Sequence, residues 1–153
     1  MNYLQSSKTN VHQIAKQLLN DGRFNESKEI LTKLLEKDPS DFLAIHMLGL
    51  LAKKAKQWNL AIAFFTRAIE TNRTDFASYL ERGLINRKLA NLPSSISDFS
   101  SALEINPASF EALNNRGISH CQAGNSAQAI IDFSEAIALK PDCSQTYFNR
   151  GLA

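Results

Sequence analysis

Aromatic and small residues recur in this chain every 34 residues. Phe65, Phe99 and Phe133 form one column, and Ala68, Ala102 and Ala136 a second. Gly49, Gly83, Gly117 and Gly151 form a third. Pro39, Pro107 and Pro141 form a fourth, broken once at Arg73. A fixed period of this size marks a repeat architecture, in which each unit is one supersecondary element and buries its apolar face only against its neighbours. A stack is therefore the expected form, and it argues against an enzyme.

The period divides the chain into full windows 8–41, 42–75, 76–109 and 110–143, with residues 144–153 opening a fifth. Residues 1–153 then form one all-α domain, an α-solenoid of stacked antiparallel helix pairs. In window 76–109, Tyr79, Gly83 and Asn86 follow helical spacing, Ala90-Asn91-Leu92 breaks it, and a second helix runs from Pro93 to about Ile105. Proline suits a first helical position, where its missing N–H has no partner to lose. The turns between helices are placed at Asp21-Gly22, Gln57-Trp58, Asn91-Leu92 and Gly124-Asn125. Asp38-Pro39, Asn106-Pro107 and Lys140-Pro141 close the windows, since proline cannot continue a helix.

In an antiparallel hairpin, places equidistant from the turn face each other. The glycine at the eighth place of a window then lies near the aromatic at the twenty-fourth, where a side chain on the glycine would strike the ring. The twentieth place is small as well, with Ser27, Ala61, Ser95 and Ala129. The seventh and twenty-third places change together. They are Ile14 with Ile30 and Leu48 with Phe64 in the first two windows, then Arg82 with Asp98 and Arg116 with Asp132. Ion pairs within each of the last two repeats are expected; independent surface charges are the competing reading. Gly49, Gly83, Gly117, Phe65, Phe99, Phe133 and the two Arg–Asp pairs are thus read as structural residues.

These columns resemble the tetratricopeptide repeat. Leu48-Gly49, Ala61, Phe65 and Ala68 carry the likeness in the second window, and Gly83, Ser95, Phe99, Ala102 and Pro107 in the third. Gly117, Ala129, Phe133, Ala136 and Pro141 carry it in the fourth. The first window is degenerate, with Ala15, Ser27, Leu31, Leu34 and Pro39. The resemblance implies a right-handed superhelix and a protein–protein interaction role, with a protein or peptide ligand held in a concave groove lined by the first helices.

Carried onto this sequence, the groove would show His12, Gln13, Lys16 and Asn20, then His46, Met47, Leu50, Lys53 and Lys54. Leu80, Glu81, Leu84, Arg87 and Lys88 follow, then Glu111, Asn114, Asn115, Ile118, Cys121 and Gln122, with Asn149 in the fifth window. Lys53 with Arg87 and Lys54 with Lys88 occupy equivalent places, so a basic strip and an acidic ligand are expected. Equally, cations at helix C-termini complement the helix dipole. Chaperone-tail receptors of this family use a Lys/Asn/Arg carboxylate clamp, and His12, Lys16, Met47 and Glu81 do not reproduce it. Asn115 and Asn149 share one place and resemble two rungs of the asparagine ladder in O-linked N-acetylglucosamine transferases; an ordinary solvated amide is the alternative. The resemblance also admits a second role, the N-terminal recognition arm of a larger glycosyltransferase or methyltransferase.

Other chemistry is thinly represented. The chain has 153 residues, 44% hydrophobic and 21% charged, with a net charge of +2. That charge is too small to argue for nucleic acid. No run approaches the roughly 18 apolar residues of a membrane span, and the first residues lack a signal-peptide pattern. Cys121 and Cys143 show neither metal spacing nor a disulfide framework. A cytoplasmic protein without cofactor or metal is expected. His12 and His46 are too few ligands for a metal, His120 reads as packed, and Cys121 as a small half-buried side chain. The serine-rich stretch 94–101 reads as helix packing. No Gly-rich phosphate loop or catalytic constellation is present, so the chain is read as a non-enzyme. Gly151 and Arg150 lack the phenylalanine and aspartate that follow their counterparts. A longer array, self-association through the open C-terminal helix, and a simple cap each account for that.

Overall fold

The computed structural model describes residues 2–153, with side chains from Thr9 onward. Among them are nine α-helices and no strand: α1 Asn2–Asn20, α2 Phe24–Lys37, α3 Phe42–Lys54, α4 Trp58–Thr71, α5 Phe76–Lys88, α6 Leu92–Ile105, α7 Phe110–Gln122, α8 Ser126–Leu139 and α9 Ser144–Leu152. They form two compact units, Met1–Arg73 and Thr74–Ala153.

The first helix of a window is started by a polar side chain one residue before it. Asp41, Asp75 and Ser109 accept hydrogen bonds from the backbone N–H of Ala44, Ser78 and Ala112, at 3.1, 2.8 and 3.2 Å. Each satisfies one of the donors that a helix N-terminus leaves unpaired, typically about 1 kcal/mol. The column continues to Cys143 ahead of α9.

The turn inside each hairpin also repeats. Backbone N–H groups of Arg23, Gln57, Asn91 and Asn125 reach back five residues to Leu18, Ala52, Asn86 and His120 carbonyls, at 2.8–2.9 Å. This six-to-one closure places the preceding residue in the left-handed region. Those residues are Gly22, Lys56, Ala90 and Gly124, with φ of 78°, 57°, 58° and 77°. The turns therefore centre on Lys56 and Ala90, two residues earlier than Trp58 and Leu92, which are the first residues of α4 and α6. Pro93 is accordingly the second residue of α6, still within the turn that tolerates it. Left-handed backbone costs a residue with a Cβ roughly 1 kcal/mol. Ala90→Gly is thus expected to stabilise the protein, raising the melting temperature by about 3 °C in a thermal melt. An unchanged or lower midpoint would contradict that account of the turn.

Close approach of paired helices follows from the glycine column. A Cβ added at Gly49, Gly83 or Gly117 would lie 2.8 Å from Cε1 of Phe65, Phe99 or Phe133 respectively. The three rings are fully buried. In the first hairpin Ala15 and Leu31 fill the same two places, both fully buried, so a larger small residue meets a smaller apolar one. Small residues at the twentieth place add local bonds: Ser27 Oγ donates to the Ala15 carbonyl at 2.8 Å, and Ser95 and Ser119 hydroxyls lie 2.9 Å apart.

Both expected ion pairs are present in the second unit. Arg82 Nη2 stands 2.7 Å from Asp98 Oδ1, and Arg116 Nη2 stands 2.7 Å from Asp132 Oδ1. Their carboxylates are nearly buried, at 4% and 2% exposure. In the first unit Leu48 is buried and Phe64 half-buried in the corresponding places.

Candidate functional site

In the first unit, α1 and α3 enclose a cleft of about 390 Å³. Leu19, Leu43, Met47 and Leu50 supply apolar surface, and Thr9, Gln13, Lys16, Asn20 and His46 supply polar groups. Among the described residues no carboxylate lines it, and Lys16 is its one lysine. The amphipathic spacing explains the division. Leu19 and Met47 are buried in the core with Ala15, Leu31 and Leu48, and Leu50 packs half-buried against them. Gln13, Lys16 and Asn20 are exposed one helical turn apart.

Two contacts fix the cleft. His12 Nε2 lies 2.9 and 3.0 Å from the two oxygens of Asp41, and Asp41 caps α3 at the same time. One carboxylate therefore joins α1 to the start of α3. His12, expected as a displayed groove residue, is instead 8% exposed and serves this link. His46 is half-buried and meets the Phe65 ring edge-on, with centroids 5.5 Å apart. Lys53 and Lys54 close the last turn of α3, the first half-buried and the second exposed.

The second unit uses its first-helix polar residues differently. Leu84 is half-buried against a core containing Phe99, Ala102 and Leu113. Arg87 Nη2 donates to Asn115 Oδ1 at 3.0 Å, and Asn115 Nδ2 donates to the Glu111 carbonyl at 2.8 Å. Asn115 is 9% exposed, so its amide joins α5 to α7; the reading of a solvated or ligand-facing rung fails there. Burial lowers the Arg87 pKa, and its Nε is enclosed without a hydrogen-bond partner. Lys88 is exposed. Asn114 Oδ1 accepts from Thr146 at 3.3 Å, and Asn149 Oδ1 accepts from Gln145 at 3.0 Å.

The cysteines sit in contrasting surroundings. Burial raises the Cys121 pKa, whereas hydrogen bonding by Thr146 at the start of α9 lowers that of Cys143. His120 is half-buried, and desolvation lowers its pKa while Asp132 pulls it the other way. Among the described residues, no group of three or more histidine, cysteine or carboxylate side chains could hold a metal, and no helix is long and apolar enough to cross a membrane.

The family model described as tetratricopeptide repeat matches residues 110–143. No curated protein sequence matches the chain. Among solved structures, MamA superimposes with a TM-score of 0.85 at 22% identity, over 91% of this chain and 81% of that one. The TPR domain of Arabidopsis OM64 gives 0.68 at 25% identity, covering 72% and 91%. The first TPR of Spaghetti (RPAP3), solved with the HSP90 peptide SRMEEVD, gives 0.70 at 18%, covering 74% and 90%. The glycine-on-phenylalanine closure of the matched window recurs in windows 42–75 and 76–109, so the chain repeats the unit that the tetratricopeptide repeat model matches at 110–143, on the fold of these structures.

Proposed function

We propose that this protein is a non-catalytic interaction scaffold whose α1–α3 cleft takes an extended segment of a partner protein. The observation that carries the reading is the cleft itself. Its volume of about 390 Å³ lies in the range of pockets that bury a small ligand or a few side chains. Its lining joins an apolar wall to polar groups, and among the described residues Lys16 is its one lysine. An apolar anchor residue next to an aspartate or glutamate complements both. The peptide held by Spaghetti sets a precedent on a similar fold for a short acidic segment. The lining here differs from a carboxylate clamp, because among the described residues a single lysine faces the cleft and the apolar wall dominates. Affinity would therefore rest on the anchor and selectivity on the acid.

Peptide display against the full chain tests this. Enriched sequences should pair an apolar residue with a neighbouring acid. They should lose at least about tenfold in affinity toward Leu43→Asp, and Lys16→Glu should reverse the preference for acid. Leu43 and Lys16 are both exposed, so neither change threatens the fold. Enriched peptides that bind both variants as well as the parent would place the site elsewhere.

A further inference from the structure

The exchange of an Arg–Asp pair for Leu48 and Phe64 opens a space within the first unit. In the second unit the junction of α6, α7 and α8 is filled from α7. Arg116 crosses it, pairing with Asp132 of α8 at 2.7 Å and donating through Nη1 to Ser100 of α6 at 3.2 Å. One turn further along α7, His120 is half-buried, close enough to Arg116 and Asp132 for both charges to act on it. The equivalent places in α3 hold Leu48 and Ala52. Both side chains are shorter, and they line a cleft of about 430 Å³ between α2, α3 and α4. The polarity of the junction is inverted too. Gln128 and Asp132 of α8 correspond to Leu60 and Phe64 of α4, and Ile96 of α6 corresponds to Lys28 of α2. Leu48 and Leu51 are buried at the back of the cleft, while Phe24, Lys28 and Leu60 are exposed at its mouth. Among the described residues no carboxylate lines it, and Lys28 is its one charged side chain. The acids nearest Lys28 along α2, Glu26 and Glu29, pair with Arg23 and Lys33.

We propose that the α2–α3–α4 cleft binds a small amphipathic carboxylate, a molecule with one compact apolar body and one acid group. The body covers Leu48, Leu51 and Phe64, in the space that Arg116 and His120 fill in the second unit. The acid group accepts from Lys28, whose charge no other lining residue offsets. A cationic ligand would meet Lys28 and find no acid. Ala55 and Gln57, on either side of the left-handed Lys56, bound one end of the cleft. That closure suits a small molecule and not a polypeptide passing through, and the volume lies in the range of small-ligand pockets. The cleft shares no lining residue with the one between α1 and α3, so the two sites stand or fall separately.

Titration of octanoate into the isotope-labelled full chain, followed by two-dimensional NMR, tests the idea. Saturable shifts are expected at the amides of Ala52, Ala55 and Gln57, and not at Leu19 or Met47 in the α1–α3 cleft. Octylammonium, with the same chain and the opposite charge, should bind at least about tenfold more weakly. Lys28→Glu should reverse that order, and Lys28 is exposed, so the change leaves the fold intact. Ala52→His gives α3 the side chain that α7 carries at the same place. It should weaken octanoate by at least about tenfold with the circular dichroism unchanged; if the helical signal falls, Lys28→Glu alone decides. Absence of saturable shifts, or shifts confined to the α1–α3 cleft, would overturn the proposal. So would equal affinity for the two amphiphiles, or undiminished octanoate binding to Lys28→Glu.

Discussion

Phe99→Ala is expected to lower the unfolding free energy by about 3–5 kcal/mol, the range for emptying a fully buried aromatic site. Phe99 has no exposed surface, and its ring fits against Gly83 more closely than any side chain would allow. The neighbours in its core include Ala102, Ala112 and Ala136, which are too short to swing into the space. Closing it would require the helix backbones themselves to move, so most of the cavity should persist. Urea titration of the variant gives the loss directly. Phe24→Ala is the control, because Phe24 is 42% exposed and its removal should cost under about 1 kcal/mol. Similar losses at the two sites would show that Phe99 is not packed as described. The first hairpin also indicates how the loss can be reduced. Ala15 with Leu31 replaces glycine with phenylalanine there, so Gly83→Ala should be better tolerated beside Phe99→Leu than beside Phe99. A double-mutant cycle should return a coupling of about 1 kcal/mol.

That pairing was readable from the residues because the hairpin forces it. Two places sixteen residues apart must change together when they share one space, and the Gly–Phe and Arg–Asp columns do so. The helix caps were present in the same period but in disguise. Asp41, Asp75 and Ser109 share a place while differing in chemistry, and Cys143 holds the same place without a side-chain cap bond, so no single residue type draws the eye. The turns were centred late, on Gln57-Trp58 and on Asn91-Leu92 within the break that begins at Ala90, for the opposite reason. Local chemistry favours asparagine and glycine for turns, whereas here the repeated six-to-one hydrogen bond imposes left-handed backbone on lysine and alanine. Counting 34 residues on from Gly22 would have found both.

Contacts that cross from one repeat to the next were the least legible. His12–Asp41 and Arg87–Asn115 join residues 29 and 28 apart, a spacing set by how hairpins pack and not by the fold of one hairpin. Their effect on the site is large. They withdraw His12 in the first unit and Asn115 in the second from the displayed surface. The same repeat scaffold can thus present different surfaces, because its period specifies the packed places and leaves the outward ones open.

Arg82→Leu is expected to be nearly as damaging as loss of the ring, at about 3–5 kcal/mol, because it strands a buried carboxylate. Asp98 is 4% exposed. Its oxygens accept from Arg82 Nη2 at 2.7 Å, from Arg82 Nε at 3.1 and 3.2 Å, and from Asn86 Nδ2 at 2.8 Å. Removing the arginine leaves one neutral amide to hold a charge that water barely reaches. Removing the aspartate instead should cost less, since the Arg82 side chain is 20% exposed against 6% for Asp98 and can turn toward solvent. The double change Arg82→Leu with Asp98→Phe reproduces the pair that the second window already carries, Leu48 with Phe64. It should recover most of the stability, because an apolar pair of fitting volume avoids the desolvation that an ion pair must overcome. Urea midpoints for the two single variants and the double one decide the matter. A loss below about 1 kcal/mol for Arg82→Leu would class the pair with exposed salt bridges. A double variant no more stable than Arg82→Leu alone would show that the coordinated switch between windows reflects something other than exchange of one buried pair for another.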